Sequence, residues 1–110
     1  MSRALDESLL DELREVMGDS FDALLATFVA DGERRIEEIE TAAGNDALRR
    51  SAHGLKGASA NLGAVRLSGV CAELEAQARR GECAGRAALI ERLREEFAAA
   101  REALRLYAAR

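Results

Sequence analysis

The residues best suited to chemistry lie within one short stretch of the chain. His53 is the only histidine, and Lys56, three positions later, is the only lysine beside fifteen arginines. An imidazole can act as a nucleophile, and an ammonium group offers phosphoryl oxygens a compact, mobile charge where arginine offers a planar fork. A surface histidine is common, and so is a lysine near a histidine. What favours a functional site is the conjunction of the sole histidine, the sole lysine three positions later and a glycine four positions later.

Two glycines stand in the same stretch, Gly54 and Gly57. A glycine inside a helix costs about 1 kcal/mol relative to alanine. On a solvent-exposed face this cost needs a reason, and at Gly57 the reason we favour is close approach of the backbone of another molecule. Gly54 is a second glycine inside the same helix. A packing accommodation is the other interpretation of a glycine inside a helix.

The helix that carries these residues is predicted from its apolar spacing. Leu48, Leu55 and Leu62 recur every seven residues and share one face when drawn at about 100° per residue. His53 lies opposite this stripe, so we expect its imidazole in solvent. The residues within about 60° of the histidine are small or positively charged: Arg49, Arg50, Lys56, Gly57 and Ala60.

The chain has no proline, so glycine is its main helix-breaking residue, and the glycines divide the sequence into five amphipathic helices. They are predicted from about 6 to 17, from about 20 to near 44, from about 45 to 62, from about 65 to near 81, and from 84–87 to at least 107. Four long helices with short joints predict an all-α fold, an antiparallel up-down-up-down four-helix bundle with a short additional N-terminal helix. We expect a single domain over residues 1–110.

Polar residues and a glycine are predicted to define the helix ends. Asp19 or Ser20 is expected to cap the second helix, and Asn45 or Asp46 the third, by accepting a hydrogen bond from a free backbone amide. Gly63 is expected to close the third helix in a left-handed conformation.

Composition excludes several classes of protein. The 110-residue chain is 33% charged and 4% aromatic, has no proline and carries a formal net charge of −4. Basic and acidic residues are interleaved, so we expect neither a nucleic-acid-binding surface nor a membrane-binding patch. No apolar run is long enough to span a bilayer, and the acidic N-terminal segment does not read as a secretory signal. We therefore expect a cytoplasmic protein.

The two cysteines, Cys71 and Cys83, are too few and too far apart for a disulfide framework. Cys71 lies on the core stripe of the fourth helix, so we expect a buried free thiol there. A Cys/His zinc site is disfavoured because the chain holds one histidine.

Residues 52–63, AHGLKGASANLG, resemble the signature of histidine-containing phosphotransfer (HPt) domains. That signature is H-x-L-K-G, followed by small residues and by a glycine ten positions after the histidine, and every position is filled here. The length and the five-helix layout extend the resemblance to the whole chain. It implies that His53 accepts the phosphoryl group, that Lys56 offsets its charge, and that Gly57 is the family's glycine.

In this family a polar residue of the fourth helix, often glutamine, lies beside the imidazole. By spacing, this position resembles Glu75, which departs from glutamine but can still accept from a ring N–H. An acceptor at Nδ1 would orient the imidazole and leave Nε2 free.

The resemblance implies a phosphorelay intermediate. His53 would accept a phosphoryl group from an aspartyl phosphate on one receiver domain and pass it to the aspartate of another. The implied partners are receiver domains of response regulators or hybrid sensor kinases, which would supply the Mg²⁺ and the catalytic acids. We expect a monomer without a cofactor or metal of its own and without independent enzymatic turnover.

The family's docking surface is an apolar patch near the histidine, formed by the first helix and the start of the second. The residues expected to contact the partner are Arg49, Arg50, Gly57, Ala60, Leu10, Phe21, Leu25 and Val29. The apolar stripes also allow core positions for some of the last four.

Two functions of other classes remain as alternatives. The bundle could dock a receiver domain without carrying phosphate, but such a module is expected to have its histidine replaced, and His53 is intact. A cofactor- or metal-binding bundle would need inward-facing His or Glu ligands, which this pattern lacks. The dimerisation helix of a sensor kinase also carries a phosphorylated histidine, but there an acidic residue usually follows it, and Gly54 follows here.

Overall fold

Five α-helices joined by short turns make up most of residues 3–110, the part of the chain that this computed structural model describes. The helices are α1 (Glu7–Met17), α2 (Phe21–Glu40), α3 (Asn45–Asn61), α4 (Val65–Arg79) and α5 (Arg86–Ala108). Helices α2 to α5 pack against one another in chain order, and α5 packs back against α2. The fold is the predicted all-α antiparallel four-helix bundle with a short helix at its N-terminal end.

The joint between α1 and α2 is tighter than the sequence predicts. One turn of 3-10 helix, Gly18–Ser20, leads directly from α1 into α2. Ser20 occupies the N-cap position without a side-chain hydrogen bond, and the amide of Phe21 donates to the carbonyl of Gly18. The predicted cap by Asp19 or Ser20 is therefore wrong, because the 3-10 turn supplies a backbone acceptor where a side chain was expected.

The start of α3 also differs from the prediction. Gly44 is the N-cap residue, in extended backbone, and Asn45 is already the first helical residue. A capping side chain must precede the first helical residue, so the predicted cap by Asn45 or Asp46 is wrong. The Asn45 Oδ1 instead accepts a hydrogen bond from Arg86 Nη1 at 2.8 Å, which ties the start of α3 to the start of α5.

The end of α3 follows the prediction. Gly63 has a φ of +72°, and the amide of Ala64 bonds back to the carbonyl of Ser59 at 2.9 Å. A side chain at this φ would be strained. The carbonyl of Gly63 accepts from the amide of Asp6 at 2.8 Å, so the first turn of α1 is held beside the C-terminal end of α3.

The apolar stripes meet in one continuous core. Leu48, Leu55 and Leu62 are all buried in it, as their seven-residue spacing predicts. Cys71 is buried as well, and burial raises the pKa of its thiol to about 12, so the predicted buried thiol is confirmed as an inert one. The described helices include none that is both long and apolar enough to cross a bilayer.

Three residues expected on the docking surface belong to this core instead. The exposed fractions of Leu10, Phe21 and Leu25 are 0%, 1% and 7%. The ring of Phe21 packs edge-on against Tyr107 of α5, with ring centres 6.0 Å apart. Burying an apolar side chain of this size stabilises a fold by about 1.5–3 kcal/mol. These three side chains therefore stabilise the core and are not available to a partner, so the docking prediction is wrong for them.

Candidate functional site

His53 stands on the solvent face of α3, between the flanking helices α2 and α4. Its side chain is 65% exposed, while the leucine stripe on the opposite face of α3 is buried. This exposure confirms the expectation from the sequence. A partner molecule can therefore reach the imidazole without any rearrangement of the bundle.

Glu75 of α4 orients the imidazole. Its Oε2 lies 2.7 Å from His53 Nδ1, and its side chain is only 5% exposed. An ionised carboxylate can only accept, so the proton of the neutral ring is on Nδ1 and the lone pair is on Nε2. The structure thus brings together the two residues that the family resemblance had paired.

The same carboxylate binds two cations. Lys56 Nζ lies 2.5 Å from Oε1, and Arg79 Nη2 lies 3.2 Å from Oε2. The hydrogen bond from Lys56, and then that from His53, hold the pKa of Glu75 below its ordinary value against the opposing effect of burial. Glu75 therefore stays ionised at neutral pH, and Lys56 forms an ion pair with it.

The opposite wall of the site comes from α2 and was missed by the sequence analysis. The guanidinium of Arg35 lies against α3 at Gly54, so that a Cβ built on Gly54 would be 2.2 Å from Arg35 Nη1. Asp31, one turn earlier on α2, accepts from Arg35 Nε at 2.8 Å. The packing interpretation is therefore correct for Gly54. Its sequence signal was an Asp–Arg pair at i,i+4, but such pairs recur on many exposed helices.

Gly57 has no such packing reason. A Cβ built there would meet no atom of residues 3–110 within 4 Å, and the residue is exposed. Packing against these residues therefore does not require glycine here, although glycine costs the helix about 1 kcal/mol relative to alanine. Ala60, one turn further along, is also exposed, and Arg50 is exposed one turn before His53. Arg49 is half-buried and lies 4.0 Å from Asp46.

The comparisons agree with this geometry. The family model for the Hpt domain matches residues 23–103, which include His53 and both walls of its site. This chain belongs to the Hpt domain family. Proteins of this family are phosphotransfer carriers in phosphorelays and work with receiver domains.

A solved structure extends the likeness to nearly the whole of this Hpt domain. The crystal structure of histidine-containing phosphotransfer protein B (HptB) from Pseudomonas aeruginosa PAO1 is 44% identical, with a TM-score of 0.92 over 97% of this chain and 96% of that one. The comparison with curated proteins gives no match.

An apolar groove of about 740 Å³ opens beside the site of this Hpt domain, between α1, α2 and the end of α3. It begins near Ala60 on the histidine helix. Its lining is mainly leucine and small residues: Leu9, Leu13, Leu24, Thr27, Phe28, Asp31, Ala58, Ala60, Asn61 and Leu62.

The sequence analysis predicted an apolar surface at this place, formed in part by Leu10 and Leu25. The groove is lined instead by the residues that precede them, Leu9 and Leu24. Adjacent leucines point in directions about 100° apart on a helix, and the core takes Leu10 and Leu25 while the groove takes Leu9 and Leu24. Val29 is half-buried and lines a separate groove of about 430 Å³ between α2 and α5. Two of the leucines that line the groove, Leu9 and Leu24, are therefore sequence neighbours of residues that the sequence analysis named.

The residues around His53 do not form a metal site. Within residues 3–110, no group of three or more His, Cys, Asp or Glu side chains is arranged to hold a metal ion. The Glu75 carboxylate is instead occupied by His53, Lys56 and Arg79.

Proposed function

We propose that this Hpt domain carries a phosphoryl group on Nε2 of His53 between the aspartates of two receiver domains. The observation that supports this most strongly is the geometry of one ring. His53 is 65% exposed, and its Nδ1 is held by Glu75 at 2.7 Å. The nitrogen that is left free to react is therefore Nε2, on a side chain that is largely exposed.

The transfer is a displacement at phosphorus. The Nε2 lone pair attacks the phosphorus of an aspartyl phosphate, a P–N bond forms, the P–O bond to the aspartate breaks, and the aspartate leaves as a carboxylate. The ring keeps its Nδ1 proton and becomes cationic, a charge that the Glu75 carboxylate stabilises through its hydrogen bond to Nδ1. The reverse displacement passes the group to the second aspartate.

Phosphoryl transfer depends mostly on positioning and on charge stabilisation. Lys56 lies one turn from His53, and its ammonium shares the Glu75 carboxylate with the imidazole. We infer that this ammonium turns from Glu75 towards the phosphoryl oxygens when His53 is phosphorylated. A flexible lysine stem allows this short movement.

The partner docks through the apolar groove and the small residues beside it. The groove lined by Leu9, Leu13 and Leu24 suits an amphipathic helix of a receiver domain. Gly57 and Ala60 allow that helix to approach α3 closely, since neither presents more than a methyl group. We propose that the receiver supplies the Mg²⁺ and the catalytic acids, so that the chain has no turnover of its own. We also propose that the chain acts as a monomer in the cytoplasm.

Incubation with a phosphorylated receiver domain tests this function. The ³²P label should move to the wild-type chain, should be acid-labile, and should map to His53 by mass spectrometry. The variant His53→Gln should stay unlabelled while keeping the helical circular-dichroism spectrum, because its side chain points into solvent. Equal labelling of His53→Gln would refute the proposal, and binding of a receiver without labelling of the wild type would instead identify a docking module.

A further inference from the structure

Arg35 of α2 lies against α3 at Gly54, whereas Glu75 contacts His53 from α4. Gly54, the residue that follows His53, leaves the space that the guanidinium fills: a Cβ there would be 2.2 Å from Nη1 and 2.6 Å from Cζ of Arg35. The guanidinium is thus seated on the backbone of α3 next to His53. Any side chain at position 54 larger than hydrogen would displace it.

The orientation of this guanidinium is set by Asp31. Its Oδ2 accepts from Arg35 Nε at 2.8 Å, and this hydrogen bond is the main reason that the pKa of Asp31 lies below its ordinary value. Nη1 and Nη2 of Arg35 make no hydrogen bond to any of residues 3–110. The side chain is 27% exposed, so part of it is open to solvent, and Nη1 and Nη2 are donors at the α3 surface.

The cations on the other side of His53 are already paired. Lys56 and Arg79 both bind the Glu75 carboxylate. A phosphoryl group adds about two negative charges at neutral pH, and it would be placed on a ring whose other nitrogen contacts that same carboxylate. Lys56 must therefore leave Glu75 to reach the phosphoryl oxygens, whereas a cation that Glu75 does not occupy could bind the incoming charge without breaking an ion pair.

We propose that Arg35 is a phosphoryl-binding residue: Nη1 and Nη2 donate to the phosphoryl oxygens of phosphorylated His53, and Gly54 exists to admit them. The inference rests on the proposed function, because it requires His53 to carry the group. A guanidinium fork suits two phosphoryl oxygens at once. Phosphorylated His53 is then held between Lys56 on the α4 side and Arg35 on the α2 side.

A small donor separates this role from docking. Phosphoramidate can phosphorylate a histidine directly: the Nε2–P bond forms, the P–N bond of the donor breaks, and ammonia leaves. The variants are Arg35→Gln, Arg35→Lys and Gly54→Ala. Arg34→Gln is the matched control, because Arg34 also pairs with Asp31 but is more exposed and does not lie against Gly54.

The expected result is that Arg35→Gln is phosphorylated by phosphoramidate about tenfold more slowly than wild type, the usual scale of a lost charge-assisted hydrogen bond. Arg34→Gln should stay within about twofold of wild type, a change in keeping with an exposed ion pair. Arg35→Lys should recover part of the rate, which a purely structural defect would not predict. Gly54→Ala should be slow although it removes no charge.

Several outcomes would overturn the inference. Equal rates of phosphorylation by phosphoramidate for Arg35→Gln and Arg34→Gln would refute it. A defect of Arg35→Gln seen with a receiver but not with phosphoramidate would also refute it, since Arg35 would then contact the partner. If Arg35→Gln fails to fold, a wild-type rate in folded Gly54→Ala refutes it equally. A wild-type chain that phosphoramidate and receivers both leave unlabelled at His53 would contradict the proposed function itself.

Discussion

Replacing Glu75 by glutamine tests the network that holds the histidine. The amide oxygen of Glu75→Gln can still accept from His53 Nδ1–H, but the charge that binds Lys56 and Arg79 is lost. Glu75 is buried, but its cationic partners reach solvent. Each ion pair should therefore stabilise the fold by no more than an exposed pair does, up to about 1 kcal/mol. Two such pairs give an expected loss of about 1–2 kcal/mol in the free energy of unfolding at pH 7, which corresponds to a fall in melting temperature of roughly 4–10 °C.

The pH dependence has a definite sign. The pKa of Glu75 is lower in the folded protein than in the unfolded chain, chiefly because of Lys56. Its stabilisation is therefore present above the unfolded pKa, near 4.5, and is lost as the pH falls through the folded value. Wild type and Glu75→Gln should differ at pH 7 and converge in acid.

Thermal melts followed by circular dichroism at pH 7 and at about pH 3 measure both effects. The control is Glu73→Gln on the same helix, whose exposed carboxylate pairs with exposed Arg92 at 3.0 Å, and it should melt close to wild type at both pH values. A Glu75→Gln protein as stable as wild type at pH 7 would refute the reasoning, because it would mean that desolvation of the carboxylate outweighs its ion pairs.

Three further outcomes test the contacts of the phosphoryl group and of the partner. Lys56→Ala should slow phosphotransfer from a receiver by about tenfold while the domain stays folded; unchanged single-turnover kinetics would remove the lysine from the mechanism. Gly57→Gln should raise the free energy of unfolding by about 0.5 kcal/mol, since its site is open. The same variant should show no receiver binding by calorimetry, and a retained affinity would contradict the close approach of the partner at this residue. Leu9→Asp should weaken receiver binding at least tenfold. The control Leu106→Asp, at an exposed position of α5, should leave receiver binding unchanged. Equal affinities of the two variants for the receiver would show that the groove is not the docking surface.

The position of the histidine could be predicted from the sequence because helical periodicity alone decides it. Leu48, Leu55 and Leu62 define the buried stripe, and a residue on the opposite face of the same helix is necessarily exposed. The partnership of His53 with Glu75 depended on the resemblance to a family, since no local pattern states which helices will be neighbours. Gly63 was predictable because a left-handed helix end favours glycine.

Other features were decided only when the helices packed together. Whether Leu9 or Leu10 turns inward depends on the rotation of α1 against α2, and adjacent leucines offer the sequence no way to choose. Likewise, Gly54 and Gly57 look alike in the sequence, yet one is filled by Arg35 from another helix and the other is open to solvent. Local periodicity reports which face of a helix is apolar, but the contacts between faces arise from helix rotation and spacing, which are set by the whole core at once.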